Sequence, residues 1–364
     1  MAFLAGYGRP LTLRIEMAQI SIIPFASSSP ALQRLFDTSV LAEGSYGWFQ
    51  CLAETTLERG EHAVLAIARD DENAVRAALP LVQMGDGGMR ALTAPYTTLY
   101  APALPDPAWA RILGIGARHY VPGFLRLDAL DPNEPGIVAF TAGLASLGLL
   151  TASYRHFANW FEPVTDFESY WTERPSQLRT TVRRRLAHAL SGASASFHCY
   201  HEGVELDQAL AIYDDIYHAS WKSAEPHPQF IPTMVRTLAQ EGLVRLGVMR
   251  LGNKPVAAQI WLVRGRKATI FKLAHRDDAV AYSPGTLLTH WMASTLIAGD
   301  ALEEIDFGRG DDTYKREWLK NVRERTGLVA GNWRSRSGLA AIAREVLPTK
   351  FGGLRRAAAQ KFRR

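Results

Sequence analysis

Alternating apolar and polar positions predict three consecutive strands in the second half of the chain. They cover residues 243–250, 256–263 and 268–274. Short polar segments separate them, and the first of these, Gly252-Asn-Lys-Pro255, is typical of a tight turn. Because strands joined by short turns pair antiparallel, the pattern predicts an antiparallel three-stranded sheet.

A helix and a further strand follow this sheet. Ser283-Pro-Gly-Thr286 has the residues of a helix start, the amphipathic segment behind it ends at Gly299, and residues 303–308 form a strand pattern. A strand that leads into a helix places unpaired N–H groups and the positive end of the helix dipole beside a sheet. Such a corner suits a phosphate group.

Upstream of the sheet, residues 167–191 form the clearest helical pattern. Apolar side chains recur every fourth residue from Leu178 to Leu190, and four arginines lie on or beside the opposite face: Arg179, Arg183, Arg184 and Arg185. A strand at 194–200 comes next. An apolar helical stripe over 206–221 and a helix over 232–240 then lead to the sheet, and a short helix at 314–321 and a strand at 327–333 close the pattern.

The first half of the chain has weaker patterns of both kinds. Strands are predicted at 20–25, 63–68, 75–81, 89–92, 124–127 and 150–160. Helices are predicted within 31–49, 108–117 and 138–147, and a proline-rich loop covers 95–107. This half is a mixed α/β unit without a strong phosphate-loop signature.

Composition narrows the class of protein. A chain of 364 residues is long enough for two domains, each with its own core. Its cysteines are Cys51 and Cys199, which exclude a disulfide framework and a cysteine zinc site. A secretory signal, a His-Glu-x-x-His pair and the hydrolase and P-loop motifs are missing, so we predict a cytoplasmic protein without a metal. The long uncharged stretch 137–154 is interpreted as a helix and a strand, not a membrane span.

Positive charge is concentrated at the C-terminus. The net charge is +5, but residues 331–364 alone carry nine Lys or Arg and one acidic residue, so the remainder is negative. This tail could contact anionic lipid at the inner face of the membrane, or RNA. A solvated terminus without a partner explains the same residues.

The order of elements in the second half is that of the GNAT acyltransferases, and several motifs sharpen this resemblance. They are Leu178-Arg-Thr-Thr-Val-Arg-Arg-Arg185, Ser220-Trp-Lys222, Val256-Ala-Ala-Gln259, Tyr282-Ser-Pro-Gly-Thr-Leu-Leu288 and Asp306-Phe-Gly-Arg-Gly-Asp-Asp-Thr-Tyr-Lys315. Together they resemble the BioF2-like acetyltransferase family, which includes proteins named after cellulose-biosynthesis clusters and is related to the FemAB aminoacyltransferases. The resemblance is good over residues 150–335.

This resemblance implies a fold class and a domain organisation. Family members resemble two GNAT folds in tandem, the first degenerate, so we expect an α/β protein with mixed sheets. The expected parts are an N-terminal extension (1–18), a degenerate GNAT-like domain (19–160), a GNAT acyltransferase domain (161–335) and the basic tail (336–364).

The predicted donor site is the helix start at Ser283, Pro284, Gly285 and Thr286. Ser is a good N-cap, and Gly lets a ligand approach the backbone, so the N–H groups of Gly285 and Thr286 could bind the pyrophosphate of acyl-CoA. The GNAT loop has Arg/Gln-x-x-Gly-x-Gly/Ala, of which this chain retains the final glycine. A plain helix start explains the same residues. The arginines of 179–185 could bind the nucleotide 3′-phosphate, transfer RNA phosphates or lipid headgroups, or form a solvated basic face.

The resemblance places a tyrosine general acid near Tyr314, where a phenol could protonate the departing thiolate. Packing of the helix against the sheet is the alternative. Asp306, inside an apolar strand, could be a base if burial raises its pKa, or could be paired with Arg309, Lys315 or Lys272. Lys315, in the same motif, is assigned to donor binding.

Three residues are assigned to substrate binding. Trp221 and Lys222 end a helix near the expected acceptor groove, although a core tryptophan and a solvated lysine are the simpler interpretation. Gln259, on a central strand, could orient an acceptor amide or be a hydrogen-bonded core residue.

The leading hypothesis is an N-acyltransferase that uses acetyl-CoA or a longer acyl-CoA, or an acyl-carrier protein. Its acceptor would be a small molecule or a polysaccharide or cell-envelope precursor. One alternative keeps the fold and takes aminoacyl-tRNA as donor. The other is a non-catalytic GNAT-fold scaffold for polymer synthesis at the envelope.

Overall fold

The computed structural model describes residues 12–15, 18–220 and 222–345. The chain divides into two compact units. Unit 1 contains the described residues up to Ser39, Glu43–Phe157 and the described residues from Glu324 onward, and unit 2 contains Val40–Ala42 and Ala158–Arg323. The predicted domain limits stay predictions.

Unit 1 is built on a mixed sheet with the strand order β1-β2-β3-β4-β5-β6-β13. The strands are β1 (Thr12–Ile15), β2 (Ala18–Pro24), β3 (His62–Arg69), β4 (Val75–Gln83), β5 (Met89–Ala91) and β6 (Phe124–Leu130), with β13 (Asn321–Gly331) at the end. The helices are α1 (Pro30–Leu35), α2 (Tyr46–Thr55), α3 (Pro107–Ile115), α4 (Ala117–Tyr120) and α5 (Pro135–Ala145). Strands β5 and β6 are parallel, and α3 lies in the connection between them.

Unit 2 is built on a sheet with the order β7-β12-β11-β10-β9-β8. The strands are β7 (Leu150–Pro163, in this unit from Ala158 onward), β8 (Ala195–Tyr200), β9 (Val244–Leu251), β10 (Lys254–Arg264), β11 (Lys267–His275) and β12 (Glu304–Arg309). The helices are α6 (Phe167–Thr172), α7 (Ser176–Ala193), α8 (Gly203–His218), α9 (Phe230–Gln240), α10 (Pro284–Gly299) and α11 (Lys315–Trp318). Strands β8 to β11 pair antiparallel, and β11 pairs parallel with β12.

The core of unit 2 is centred on β10. All residues of Val256–Val263 are buried, which requires cover on both faces of the strand. Helices α8 and α10 both contact β10. The cluster formed with α7 and α10 includes Trp261, Leu288 and Met292, each 0% exposed. These helices therefore owe their stability mainly to the apolar faces that they bury on the sheet.

The structure corrects the long helix predicted over 167–191. Two helices, α6 and α7, replace it, with Pro175 between them. Proline disfavours a helical conformation of the residue before it and has no N–H to donate, so one continuous helix cannot form here. Leu190 was also expected in the core, but it is 53% exposed, and Ala189 is buried instead. Steps of four residues overshoot the 3.6-residue turn, so a strict four-residue repeat drifts off the buried face.

The last predicted elements also shift. The helix predicted at 314–321 is only Lys315–Trp318, and the final strand begins at Asn321, ahead of its predicted start at 327. Residues 336–345 of the predicted tail are helical, and the Arg126 guanidinium lies 2.7 Å from Glu345. Of the predicted extension 1–18, residues 12–15 form β1 and residue 18 begins β2, and its other residues, like 346–364 of the tail, lie outside the described residues. Among the described helices, none has the length and apolar character that a membrane span needs.

Candidate active site

The two parallel strands of unit 2 separate after a short stretch of pairing. Lys267–Thr269 of β11 pairs with Glu304–Asp306 of β12, and β11 then continues as Ile270–His275. The register of β11 against β10 shifts at the same place, which leaves Phe271 as an extra residue. A bulge of this kind bends a strand, so the separation has a local cause. The edge of β11 that faces β12 beyond this point can pair with an extended ligand.

Helix α10 starts beside the end of β11. Ser283 has left-handed backbone angles (φ 53°, ψ 52°) and makes no side-chain capping bond, so the predicted Ser283 side-chain cap is wrong. The left-handed residue instead turns the chain from the 3-10 segment Asp277–Tyr282 into the helix. Within α10, the Leu287 N–H donates to the Ser283 oxygen at 3.1 Å. The N–H groups of Gly285 and Thr286 precede this bond and point out of the first turn.

Gly285 faces the sheet at this corner. A Cβ at Gly285 would lie 3.2 Å from His275 Cδ2 and 3.5 Å from Leu273 Cδ2, both on β11. Pro284 and Gly285 are buried, whereas Ser283 and Thr286 are half-buried. The structure thus brings the four predicted donor residues together at the open edge of β11, and their donor role stays a prediction.

Gln259 is tied to the same helix start. Its Nε2 donates to Thr289 Oγ1 at 2.7 Å, and its Oε1 accepts from Trp261 Nε1 at 2.9 Å. Thr289 Oγ1 in turn donates to the Gly285 oxygen at 2.9 Å. Both ends of the amide are used and Gln259 is 0% exposed, which matches the core alternative and gives no support to acceptor binding.

The arginines of α7 divide into two groups. The Arg185 guanidinium donates to the Ala281 oxygen, and Arg179 Nε donates to the Arg174 oxygen at 3.1 Å. Arg183 and Arg184 are exposed. His188, on the same helix, stacks on Tyr282 with ring centroids 5.1 Å apart. Helix α7 therefore supports the segment before α10 and presents two arginines to solvent near it.

The segment after β12 is anchored at both ends. Gly310 N–H donates to the Ala158 oxygen at 3.1 Å, and Asp311 Oδ1 accepts from Trp160 Nε1 at 2.9 Å. Lys315 is 2% exposed, and its Nζ donates to the Arg309 oxygen at 2.7 Å. Burial lowers the pKa of Lys315, although Asp312, 3.5 Å away, acts in the opposite direction. These contacts hold the loop, and the predicted contact of Lys315 with the donor stays a prediction.

Tyr314 stands at the surface of this loop. It is 47% exposed, and its ring centroid lies 6.3 Å from that of Phe307 on β12. Desolvation of the phenolate, and then the nearby Asp312 carboxylate, raise the pKa of Tyr314 to about 12. The phenol is therefore protonated at neutral pH and available as a hydrogen-bond donor.

Asp306 is held by donors that the sequence did not indicate. It is 8% exposed; Oδ1 accepts from Asn159 Nδ2 at 2.7 Å and from Gly308 N at 2.5 Å, and Oδ2 accepts from Arg323 at 2.5 Å. Of the partners expected from sequence, Lys315 interacts electrostatically with this carboxylate, and Arg309 and Lys272 are not among the donors that hold it. All three partners are hydrogen-bond donors, so both carboxylate oxygens are engaged in contacts that hold the segment after β12.

Arg323 and Asn159 hold the predicted site residue Asp306, and sequence reasoning did not indicate either of them. Arg323 also binds Asn159 Oδ1 at 2.6 Å and Glu304 Oε1 at 2.9 Å. A second buried pair, Arg174 to Glu162 at 2.9 Å, holds the segment after α11, since Glu162 also accepts from the Lys320 N–H. The sequence signal for such contacts was a charged residue inside a strand pattern, as at Asp306 and Glu162.

Lys222 lies close to β11 and to the Tyr314 loop. Its pKa is lowered, first by burial and then by Lys272, while Glu225 and Asp312 act in the opposite direction. Lys272 itself pairs with Glu225 at 2.6 Å. The structure therefore brings Lys222 and the Tyr314 loop into one electrostatic neighbourhood. Trp221 lies outside the described residues, so its predicted role stays a prediction.

Cysteine and metal chemistry have little structural support in the described residues. Cys51 is 0% exposed, and burial raises the pKa of Cys199, on β8, to about 12. No group of three or more His, Cys, Asp or Glu residues that could hold a metal occurs in this part of the chain.

A family model described as Acetyltransferase (GNAT) domain matches residues 176–316. This range runs from the start of α7 into α11, so it contains the separated strands, the start of α10 and Tyr314. No curated protein matches the sequence.

Solved structures are similar over more of the chain. FemX covers 76% of this chain and 90% of its own, with 11% identity and a TM-score of 0.53. The C-terminal domain (DUF2156) of an assigned lysylphosphatidylglycerol synthetase from Agrobacterium fabrum covers 87% and 95%, with 13% identity and a TM-score of 0.54. A conserved protein of unknown function from Bacteroides thetaiotaomicron covers 85% and 98%, with 8% identity and a TM-score of 0.54.

At these identities the likeness shows the fold alone. It extends over both units, and the GNAT domain match lies in the second half of the chain. The predicted α/β class with a mixed sheet is confirmed, and the GNAT domain match covers the second of the two predicted GNAT-like folds. The GNAT domain supports an N-acyltransferase.

Proposed function

We propose that this protein transfers an acyl group from acyl-CoA to an amine. The observation that carries the proposal is the separation of β11 from β12 directly beside the start of α10. Both features lie inside the residues that match the acetyltransferase (GNAT) domain. Fold likeness alone would not assign a function, so the proposal depends on this local geometry.

The donor would occupy the gap in an extended conformation. Its amide groups would pair with the open edge of β11, as extended ligands do at sheet edges. The diphosphate would accept hydrogen bonds from Gly285 and Thr286 and lie at the positive end of the helix dipole. This places the thioester towards Phe271 and the Tyr314 loop.

The reaction needs no covalent enzyme intermediate. The amine nitrogen bonds to the acyl carbon and loses a proton to water, and the carbon–sulfur bond then breaks. Because the pKa of Tyr314 is about 12, against about 8.5 for a thiol, its contribution is a hydrogen bond to the developing thiolate. Water then completes protonation of the thiol. Asp306 would position the loop that carries Tyr314.

The acceptor class rests on the resemblance to the BioF2-like family. An amine of a polysaccharide or cell-envelope precursor would approach from the side of Lys222 and Glu225, with the reaction in the cytoplasm, where acyl-CoA is made. Peripheral contact of the basic tail with a membrane belongs to the same proposal.

A different donor is the second candidate. Residues 176–193 contain no acidic side chain, and Arg183 and Arg184 are exposed, so α7 offers a positive surface near the donor site. An acyl-carrier protein or an aminoacyl-tRNA would use such a surface. Binding of tRNA would weaken steeply with salt, whereas binding of CoA would change much less.

The test begins with native mass spectrometry of protein purified from its own host, to detect a retained thioester or nucleotide. Calorimetric titration with CoA and with acyl-CoAs of increasing length follows, and then thiol release with candidate amines. We expect micromolar CoA binding and amine-dependent release. Absence of CoA binding together with tight, salt-sensitive tRNA binding would replace the donor. Absence of both would favour the scaffold alternative.

A further inference from the structure

A chain of three hydrogen bonds runs from the centre of the unit 2 sheet to the start of α10. It begins at Trp261 Nε1, passes through Gln259 and Thr289 Oγ1, and ends at the Gly285 oxygen. Gly285 is the residue that the proposed function assigns to the donor diphosphate, so this chain of bonds reaches the proposed binding atoms directly.

The direction of every bond in the chain is fixed. The Trp261 indole N–H can only donate, so Gln259 must present its oxygen to it and its NH₂ to Thr289. Thr289 Oγ1 accepts that bond, and its own hydrogen is therefore free to point at the Gly285 oxygen. One donor-only group thus sets the orientation of the amide, the hydroxyl and the helix turn.

The chain of bonds is shielded from water. Gln259 and Trp261 are 0% exposed, and Thr289 is 4% exposed. Buried hydrogen bonds are strong in a low dielectric, and each restricts the geometry of the next. The first turn of a helix has few intrahelical bonds and frays easily, so a link to the central strand restricts it more than it would a middle turn.

Core stability alone does not require these residue types. A Phe at 261, a Leu at 259 and a Val at 289 would together leave no buried polar side chain unpaired, and replacing all partners of a buried polar contact by apolar groups can be close to neutral. The polar chain therefore has a use that packing does not explain. Because the chain of bonds ends at the Gly285 oxygen, we relate it to the start of α10.

We infer that Gln259 and Thr289 are positioning residues that hold the first turn of α10 in the orientation needed by a donor carrying a diphosphate. This inference rests on the proposed function. It specifies the donor further, because the restricted turn favours CoA over a thioester that lacks the diphosphate.

The test compares two ligands on matched variants. Thr289→Val removes the hydroxyl at nearly constant volume, Thr289→Ser retains it, and Thr295→Val makes the same change at an exposed position of the same helix. Affinity for CoA is measured by calorimetry, and affinity for pantetheine, which lacks the diphosphate, by NMR titration. Thermal unfolding of each variant reports folding.

We expect Thr289→Val to weaken CoA binding about three- to tenfold, the size of one hydrogen bond. Pantetheine affinity should not change, and Thr289→Ser and Thr295→Val should bind CoA like the original protein. Equal loss for both ligands, or no loss for CoA, would overturn the inference while leaving the proposed function intact. Gln259→Leu provides a second variant, with the same expectation, if Thr289→Val does not fold. Failure of the unaltered protein to bind CoA would instead overturn the donor assignment and this inference with it.

Discussion

Each unit contains a pair of parallel strands joined through a helix, and the two helices begin differently. In unit 1 the pair is β5 and β6, and α3 begins at Asp106, whose carboxylate accepts from the Ala108 N–H at 2.8 Å. In unit 2 the pair is β11 and β12, and Ser283 before α10 makes no such bond. A negative side chain caps the start of α3, whereas no side chain caps the start of α10, as the proposed binding of an anionic donor requires.

The strands beside these helices differ as well. Strand β5 ends at Ala91, one residue after its last pair with β6, so it has almost no free edge. Strand β11 continues through Ile270–His275 after its last pair with β12. The two units thus share one topology, but only in unit 2 does a strand continue well past its parallel pairing beside a helix start without a side-chain cap.

A further comparison concerns two helices that share a Pro-Gly start. A Cβ at Gly136 in α5 would lie 2.6 Å from the Leu104 backbone oxygen, so packing explains that glycine. A Cβ at Gly285 in α10 would be nearest His275 Cδ2, at 3.2 Å, and a side chain can adjust. The glycine of α10 is therefore less constrained by the fold than that of α5, which is consistent with the proposed donor site.

The largest effect is expected for Gly285→Glu. A carboxylate at the start of α10 would reproduce the situation of α3 and repel the donor diphosphate. CoA affinity, measured by calorimetry, should fall more than about 100-fold. Gly299→Glu places the same charge at the other end of the helix, where a Cβ has no neighbour within 4 Å, and should bind CoA normally. Unchanged CoA binding by Gly285→Glu would show that the start of α10 does not bind the donor diphosphate.

A smaller effect, mainly on stability, is expected for Asp306→Asn. The amide replaces the carboxylate that pairs with Arg323 and accepts from Gly308, so the free energy of unfolding should fall by about 2 kcal/mol, the size of one hydrogen bond to a charged group. Denaturant unfolding measures it. A large loss of turnover at unchanged stability would show instead that Asp306 is a base.

Tyr314→Phe tests the chemistry in unit 2. Loss of one hydrogen bond to the leaving thiolate should lower kcat about tenfold and leave KM unchanged. Equal kcat for both proteins would contradict the role of Tyr314.

The titration of Tyr314 provides the control. Its phenol stays protonated above pH 10, whereas the phenol of an unfolded tyrosine ionises there. The folded protein therefore binds this proton more tightly, and the free energy of unfolding should fall as pH rises from about 10 to 12. Absorbance near 295 nm should show one fewer late-titrating phenol in Tyr314→Phe.

The smallest effect is expected for Asp106→Ala in unit 1. Loss of the cap should reduce the free energy of unfolding by about 1 kcal/mol, measured with denaturant. CoA affinity should stay the same, because α3 is not proposed to bind a donor. Weaker CoA binding by this variant would contradict the view that α3 takes no part in donor binding.

Periodicity and turn chemistry predicted most of the elements, including β9, β10, β11 and the start of α10. These signals are local, and each depends on residues within one turn or one strand. The same local signals placed Ser283 at the helix start but could not give its left-handed angles, which depend on how the 3-10 segment before it folds.

Long-range pairing was beyond the sequence. Arg323 on β13 pairs with Asp306 on β12, and Arg174, between α6 and α7, pairs with Glu162 on β7. No spacing along the chain indicates either contact. Gln259 was placed correctly in the core as one alternative, but its link to Thr289 depends on the register of β10 beneath α10. The structure gives the positions of the predicted donor residues and of Tyr314 and Asp306, and their roles stay predictions.

The state of the two cysteines has a practical consequence for enzymology. Disulfide reagents react with thiolates, and at neutral pH neither the enclosed Cys51 nor Cys199, with its pKa of about 12, supplies one readily. A chromogenic assay that counts liberated sulfhydryl groups should therefore have a low protein background. Turnover could be followed continuously, without quenching and without mutating the enzyme first.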